Sequence, residues 1–151
     1  MSRNTRRLFV AFATALVLIQ FVPVSRTNPP VTGEIPAPPE VKAVLKKSCY
    51  DCHSNESIWP WYSRVAPISW LVVRDVNEAR SEMNFSEWNQ MTPKAQAHKL
   101  KECIEEIEEK EMPLNIYLPL HPEARLSDSD VATLRAWIAS VVPESHDDDH
   151  D

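Results

Sequence analysis

Glycine is almost absent from this chain, since only Gly33 among 151 residues is glycine, whereas 13 residues are proline. Tight β-hairpins and glycine-rich phosphate loops need backbone conformations that glycine supplies, so both are disfavoured. Proline instead interrupts helices and marks the loops between them. No segment shows the apolar–polar alternation of a half-buried strand. We therefore predict an almost entirely helical fold with helices separated by proline-marked loops.

Four segments beyond residue 38 carry apolar residues at helical spacing. They are PEVKAVLKKSCYDCH (39–53), APISWLVVRDVNEARSEMN (66–84), TPKAQAHKLKECIEEIEEKEM (92–112) and LSDSDVATLRAWIASVV (126–142). Thr92 followed by Pro93 predicts the start of the third helix, because Thr is a good N-cap and Pro suits the first helical position. Ser127 with Asp130 three residues later is a capping box that predicts the start of the fourth.

The first 24 residues have the pattern of an export signal. Arg3, Arg6 and Arg7 precede a run without charged residues over 8–24. The run is about as long as the shortest bilayer-spanning helices, and no small-x-small cleavage site follows it. We expect an uncleaved helix in the bacterial inner membrane with residues 1–7 in the cytoplasm. The alternative is a cleaved signal peptide that leaves a soluble periplasmic protein. Both the anchor and the cleaved signal peptide place the body of the chain outside the cytoplasm.

Composition predicts the remaining boundaries. Residues 25–38 are rich in proline and poor in large apolar side chains, which is typical of an extended spacer. Residues 39–143 contain the helical segments and form the predicted domain. Residues 144–151 read ESHDDDHD and are too polar to pack, so we predict a disordered acidic tail. The formal net charge of −6 argues against a nucleic-acid-binding protein, because such proteins carry a basic face.

The motif SCYDCHSN at residues 48–55 places Cys49 and Cys52 three positions apart, with His53 directly after them. The only other cysteine is Cys103, which we predict to be a small, buried apolar residue of the third helix. A redox C-x-x-C pair normally follows a strand, but a helical segment leads into Cys49 here. A structural zinc site needs four ligands, and no second Cys or His pair follows at suitable spacing. Both interpretations are therefore disfavoured.

C-x-x-C-H is the attachment sequence of c-type haem. Each cysteine sulfur adds across one vinyl group of the porphyrin, and a spacing of three places both sulfurs on one side of a single turn. The histidine then offers an imidazole nitrogen to the iron. Attachment takes place after export, in agreement with the N-terminal segment. We therefore predict one haem c, covalently held by Cys49 and Cys52, with His53 as an iron ligand.

The other axial position of a haem iron can hold Met or His, or stay open. Met112 stands before Pro113, between the third and fourth helices, where proline ends the helix and stiffens the loop. We therefore predict Met112 as the distal ligand and His121 as the second candidate. The remaining candidates, Met83, Met91 and His98, are predicted to be core or surface residues.

Four aromatic residues follow the motif closely: Trp59, Trp61, Tyr62 and Trp70. In a small haem domain, large aromatic side chains act both as core and as a wall that keeps water from the haem. We predict that these four line the haem pocket.

The order of CYDCH, a long intervening segment, an MP loop and a closing helix is similar to class I cytochrome c. Residues 40–142 more closely resemble the bacterial haem-binding domain family of small exported or membrane-anchored proteins, through CYDCHSN, WPWYSRVAPISW, NFSEW, MP and LS. The resemblance implies an all-α, cytochrome c-like domain around a covalent haem. It implies Cys49 and Cys52 as attachment points, His53 as axial ligand, Met112 at the Met-Pro position, and electron transfer as the function.

We expect an anchored, periplasm-facing monohaem protein that carries single electrons between redox partner proteins and is not an enzyme. The alternative from another class is a haem sensor or haem enzyme with an open distal position. A third is a structural module whose haem mainly completes the core. Fast carbon monoxide binding to the reduced protein, without displacement of a ligand, would indicate the open site.

Overall fold

The computed structural model describes residues 2–142, which form six α-helices. The helices are α1 (Arg3–Leu18), α2 (Pro39–Ser48), α3 (Tyr50–His53), α4 (Ile68–Glu82), α5 (Pro93–Glu108) and α6 (Asp128–Val141). Short 3₁₀ turns cover Ile19–Phe21, Trp61–Arg64, Trp88–Gln90 and Pro122–Ala124. Within the described residues there is no β-strand, only an isolated bridge between Gly33 and Glu87. The predicted all-α class is confirmed.

The predicted helix starts are confirmed where capping residues mark them. The hydroxyl of Thr92 accepts a hydrogen bond from the Ala95 amide over 3.3 Å and begins α5. At α6 the Ser127 hydroxyl accepts from the Asp130 amide over 3.2 Å, and the Asp130 carboxylate accepts from the Ser127 amide over 2.8 Å. The first segment differs from prediction, because it divides at Cys49, whose φ of −126° and ψ of −34° end α2 and begin α3.

The core lies where α2 packs against α6 and α3, while α5 packs against α6. Phe85 is 1% exposed at its centre, and its ring stacks on Tyr50 at a centroid distance of 5.3 Å. α4 packs instead on α3 and on the turn Trp61–Arg64. α4 and α5 meet through an ion pair, in which Nζ of Lys99 lies 3.2 Å from a Glu82 carboxylate oxygen. The motif helix α3 lies between α2 and α4 and packs against both.

The N-terminal segment corrects the prediction of a membrane anchor over residues 8–24. α1 has 16 residues and no buried side chain, and it ends at Leu18. The side-chain amide of Gln20 donates to the Ala66 carbonyl over 3.0 Å and accepts from the Ala66 backbone amide over 2.9 Å, so the end of the apolar run is bonded to the domain. In the part of the chain that the structure describes, no helix has both the length and the apolar character needed to cross a membrane. The predicted transmembrane helix is therefore not supported.

Residues 25–38, for which the sequence predicts a spacer, lie along the domain. Ile35 is 2% exposed and donates its amide to the Phe85 carbonyl over 3.0 Å, while Gly33 pairs in the same way with Ser86. The prolines keep this segment extended, as predicted, and its backbone groups find partners on the domain instead of water. The predicted acidic tail, 144–151, lies outside the described residues.

Candidate functional site

The two cysteines and the histidine of the motif lie on one helical turn. The Cys49 amide donates to the Leu45 carbonyl over 2.8 Å, which closes α2. The Cys49 carbonyl then accepts from the amides of Cys52 over 3.1 Å and His53 over 2.9 Å. Both thiols are free and half-buried. The predicted one-turn arrangement is thus present, and it leaves two thiols and an imidazole available to one ligand.

The imidazole of His53 is fixed by the end of α4. Its Nδ1 lies 3.1 Å from the Met83 carbonyl oxygen, and its own carbonyl accepts from the Phe85 amide over 2.8 Å. A carbonyl oxygen only accepts, so Nδ1 carries the proton and Nε2 presents a lone pair. Burial lowers the pKa of His53, which keeps the ring neutral at physiological pH. A neutral imidazole whose second nitrogen donates to a carbonyl is the usual state of a metal-binding histidine.

The thiols have the electrostatics of buried, protonated cysteines. Burial is the main cause that raises the pKa of Cys49, and the neighbouring Cys103 adds to it. Burial likewise raises the pKa of Cys52 to about 11 and that of Cys103 to about 11. Reactive redox cysteines have a lowered pKa and a stable thiolate, so these values argue against a thioredoxin-like pair.

Met112 reaches the same core cluster as Cys49 and Cys103. α5 ends in a Schellman motif: the Lys110 amide donates to the Ile107 carbonyl over 3.2 Å, and the Glu111 amide donates to the Glu106 carbonyl over 2.9 Å. Lys110 has a φ of 64°, in the left-handed region. The chain therefore reverses sharply, and Met112 follows it as a half-buried side chain on the core.

The other candidate ligands lie in different surroundings. Met83 and Met91 are half-buried against the core cluster, as predicted, and His98 is an exposed side chain paired with Glu102 over 3.1 Å. His121 has both ring nitrogens in hydrogen bonds, Nε2 with the Tyr62 hydroxyl over 2.7 Å and Nδ1 with a Glu123 carboxylate oxygen over 3.1 Å. Neither nitrogen of His121 presents a lone pair to a metal.

The four aromatic residues of the predicted wall differ in exposure and in contacts. Tyr62 is buried, but Trp61 is 73% exposed beside it, with ring centroids 5.9 Å apart. Trp59 is half-buried and lies against the Arg80 guanidinium, 5.9 Å from ring centroid to Cζ. Trp70 lies on α4, and its Nε1 is buried without a hydrogen-bond partner in the described residues.

Arg80 is a central residue of this region that the sequence did not single out. From α4 its Nε donates to the Ser54 carbonyl over 2.7 Å, and its Nη2 donates to the Ser57 hydroxyl over 2.8 Å. Its Nη1 donates to the Thr27 carbonyl over 2.8 Å. The guanidinium thereby fixes the chain that leaves His53. Its only sequence signal is its position on the predicted second helix, which does not distinguish it from a surface arginine.

The residues around the motif fit a haem group. Among residues 2–142, no three His, Cys, Asp or Glu side chains come together to hold a bare metal ion. A haem iron needs only one or two protein ligands, because the porphyrin supplies four nitrogens. The buried Nε1 of Trp70 and Oγ of Ser48 make no hydrogen bond among the described residues, so each can serve a polar ligand group. Aromatic side chains lie beside the motif: the buried Phe85 ring stacks on Tyr50, and its centroid lies 6.2 Å from that of the His53 ring.

A cavity of about 420 Å³ lies elsewhere, between residues 35–36 and the helices α5 and α6. Its walls include Trp88, Leu100 and Trp137, and no residue of the C-x-x-C-H motif lines it. It is therefore separate from the candidate site.

Comparison with known proteins identifies one family. No curated protein and no solved structure matches the chain, so the resemblance to class I cytochrome c stays a prediction. The model of a family described as the haem-binding domain matches residues 14–140. This match contains the motif, α4, α5, the Met112 region and nearly all of α6, and it supports haem as the cofactor. Because it covers most of the chain, the protein belongs to the haem-binding domain family.

Proposed function

We propose that the protein is a c-type haem protein that carries single electrons. Cys49 and Cys52 hold the haem through thioether bonds, and His53 binds the iron through Nε2. In forming each bond, the thiol sulfur bonds to one carbon of a vinyl group and the thiol hydrogen goes to the other carbon, so no oxidant is consumed. The bound group supplies an iron that alternates between two oxidation states.

The observation that carries this proposal is the state of His53 beside two free thiols on one turn. The Met83 carbonyl fixes the proton on Nδ1, so the lone pair of Nε2 has a defined direction. Burial keeps the ring neutral, and a neutral ring is the form that binds iron. Protonated, buried thiols suit a permanent thioether better than a thiolate-based redox role.

Met112 is proposed as the second axial ligand. It is the methionine that follows the Schellman end of α5, and it lies against the cluster that also contains Cys49. A thioether ligand favours reduced iron and raises the reduction potential relative to a second histidine, which suits an electron carrier. A protein so ligated has no open position for a substrate, and we therefore propose a carrier and not an enzyme.

We also propose that the domain works on the periplasmic side of the inner membrane. Arg3, Arg6 and Arg7 followed by the apolar run are typical of an export signal, and covalent attachment of haem follows export. Cell fractionation tests this directly: recovery of the haem-loaded chain in the cytoplasm would contradict it.

Covalent attachment is tested by denaturing electrophoresis with haem staining. We expect the wild type to keep its haem after denaturation, and the double variant Cys49→Ala, Cys52→Ala to lose it. Cys103→Ala is the matched control, because Cys103 is also a half-buried thiol near Cys49 but lies outside the motif. Release of haem from the wild type, or equal loss from the control, would contradict the thioether assignment.

The second ligand is tested by the visible spectrum of the oxidised protein. We expect a methionine–iron charge-transfer band that Met112→Ala removes and Met91→Leu leaves unchanged. A band that survives Met112→Ala would refute the assignment. If the wild type lacks the band and also binds carbon monoxide rapidly when reduced, these results would favour a haem sensor or haem enzyme with an open site.

A further inference from the structure

Residues 112–124, which we call the Met112 segment, connect α5 to α6 through consecutive turns. Their backbone hydrogen bonds are local: the Tyr117 amide donates to the Leu114 carbonyl over 2.9 Å, and the His121 amide donates to the Leu118 carbonyl over 3.3 Å. Local bonds shape the segment but do not fix its position on the rest of the domain.

Apolar packing is tightest at the two ends of this segment. Met112 packs on the core, and Ala124 is 0% exposed. Between them Ile116 is 69% exposed and Leu120 is 61% exposed, while Leu114 and Leu118 are half-buried, so burial holds the middle of the segment less firmly than its ends. Other interactions therefore help to keep the middle of the segment against the domain.

Two side-chain hydrogen bonds fill this role. The Tyr117 hydroxyl donates to Oδ2 of Asp51 over 2.8 Å. Asp51 is one of the two residues between the motif cysteines, and its Oδ1 also accepts from the Ile58 amide over 3.0 Å. The Tyr62 hydroxyl lies 2.7 Å from Nε2 of His121. Apart from the adjacent bond of the Arg125 amide to the Pro122 carbonyl, no other hydrogen bond within residues 2–142 joins residues 113–124 to the rest of the described chain.

The two bonds support each other. The rings of Tyr117 and His121 stack at a centroid distance of 4.0 Å and an interplanar angle of 6°. Because a carboxylate only accepts, Nδ1–H of His121 donates to Glu123, which orients the ring so that Nε2 faces the Tyr62 hydroxyl. Burial and the bond to Asp51 raise the pKa of Tyr117, which therefore stays a donor.

We propose that Tyr117 and His121 are positioning residues, which fasten the Met112 segment to the attachment motif through Asp51 and Tyr62. The role rests on the proposed function, because its purpose is to keep Met112 at the iron. The motif then has two roles, since the same turn that attaches the haem also holds the segment carrying the second ligand. Loosening the middle of the segment would let Met112 leave the iron more often, without removing the ligand itself.

The first test is amide hydrogen exchange of the haem-loaded protein, read by mass spectrometry on peptides that cover residues 113–124. Tyr117→Phe removes a hydrogen bond to a carboxylate, and we expect about tenfold faster exchange there. Tyr62→Phe should act in the same direction. Tyr50→Phe is the matched control, because the Tyr50 hydroxyl belongs to the same motif but makes no hydrogen bond to residues 113–124. Exchange within twofold of wild type in both variants would overturn the proposal.

The second test separates positioning from a merely structural role. Imidazole is titrated into the oxidised protein while the methionine–iron band is followed. We expect Tyr117→Phe to keep the band without imidazole and to bind imidazole about tenfold more tightly, since the segment opens more often. Faster exchange with unchanged imidazole affinity would overturn the positioning role. A wild type that lacks the band would instead refute Met112 as ligand and the positioning role with it, and the exchange result would still report whether the two bonds fasten the segment.

Discussion

Arg80 offers the sharpest test of how the motif is held. We consider Arg80→Gln, which removes the guanidinium but keeps a polar side chain of helical propensity. Two of its acceptors are buried: Ser54 is 0% exposed and Ser57 is 6% exposed. The bond lengths to them are 2.7 Å and 2.8 Å. The other two acceptors, the Thr27 carbonyl and Oδ1 of Asn28, take part in exposed bonds, so water can replace the guanidinium there.

The expected loss of stability follows from these surroundings. A hydrogen bond to a charged group contributes about 1.5–3 kcal/mol, and buried acceptors left without a donor cost an amount at the upper part of that range. Burial of the guanidinium lowers the pKa of Arg80 and offsets part of the stabilisation that these hydrogen bonds contribute. We therefore expect Arg80→Gln to lower the free energy of unfolding by about 2–3 kcal/mol, nearly all of it from Ser54 and Ser57.

The measurement is urea unfolding of the haem-loaded protein, followed by circular dichroism. Arg74→Gln is the matched control on the same helix, because Arg74 is exposed and pairs with exposed Glu78 over 3.5 Å. An exposed pair of this kind contributes less than about 0.5 kcal/mol. If Arg80→Gln and Arg74→Gln gave equal losses, the reasoning from buried acceptors would be refuted.

Two further predictions concern the same scaffold. Gly33→Ala places a Cβ where the Asn89 side chain lies, so Asn89 must rotate and give up its bond to the Thr32 carbonyl. We expect Gly33→Ala to lower the free energy of unfolding in urea by about 0.5–1 kcal/mol. In an Asn89→Ala background the same substitution should cause no loss of stability, and a loss that persists there would contradict the reasoning. The bonds from Lys47 and Ser127 lower the pKa of Asp130 from 3.8 to about 2, so its stabilising contribution is present above pH 3.8 and is lost as the pH falls through 2. Asp130→Asn should therefore lower the free energy of unfolding at pH 7 by about 1 kcal/mol. The difference in stability from wild type should shrink below pH 4. A difference in stability that did not change with pH would count against the ion pair.

Helix positions were predictable because the signals that set them are local. A Thr-Pro pair and a Ser-x-x-Asp capping box satisfy the first amides of α5 and α6 within a few residues, so neighbouring sequence suffices to locate both starts. The same holds for the turn that carries Cys49, Cys52 and His53, since its geometry follows from three-residue spacing. The break at Cys49 was not predictable because an irregular φ and ψ leave no mark in the hydrophobic pattern.

The supporting residues of the site were not predictable, because their partners are distant in the chain. The Met83 carbonyl reaches His53 across 30 positions, and Asp51 meets Tyr117 across 66 positions. A backbone carbonyl has no sequence signature at all, so no motif could have named Met83 as the group that sets the tautomer of His53. Proximity in the sequence also does not set which side chains are buried: Tyr62 is 8% exposed, whereas its neighbour Trp61 is 73% exposed.

The N-terminal run shows how one polar residue changes the outcome of an apolar pattern. Hydropathy treats Gln20 as a minor interruption, but its amide satisfies both backbone groups of Ala66. This paired contact joins the end of the run to the domain, while the same side chain also donates to the Leu16 carbonyl one turn back in the helix. Side-chain amides within apolar runs therefore need to be assessed by what they can bind, and not by hydropathy alone.

Scarcity of glycine also has a consequence at the site itself. Helices that end in a Schellman motif usually place glycine in the left-handed position, and here Lys110 occupies it with a φ of 64°. A side chain in that region costs about 1 kcal/mol relative to glycine, so contacts made beyond the reversal must stabilise it. The Met112 segment supplies these contacts, with Met112 on the core and Tyr117 bonded to Asp51. The strained reversal and the two bonds from the segment thus act as one unit: the reversal directs the chain toward the motif, and the contacts with the motif stabilise the reversal.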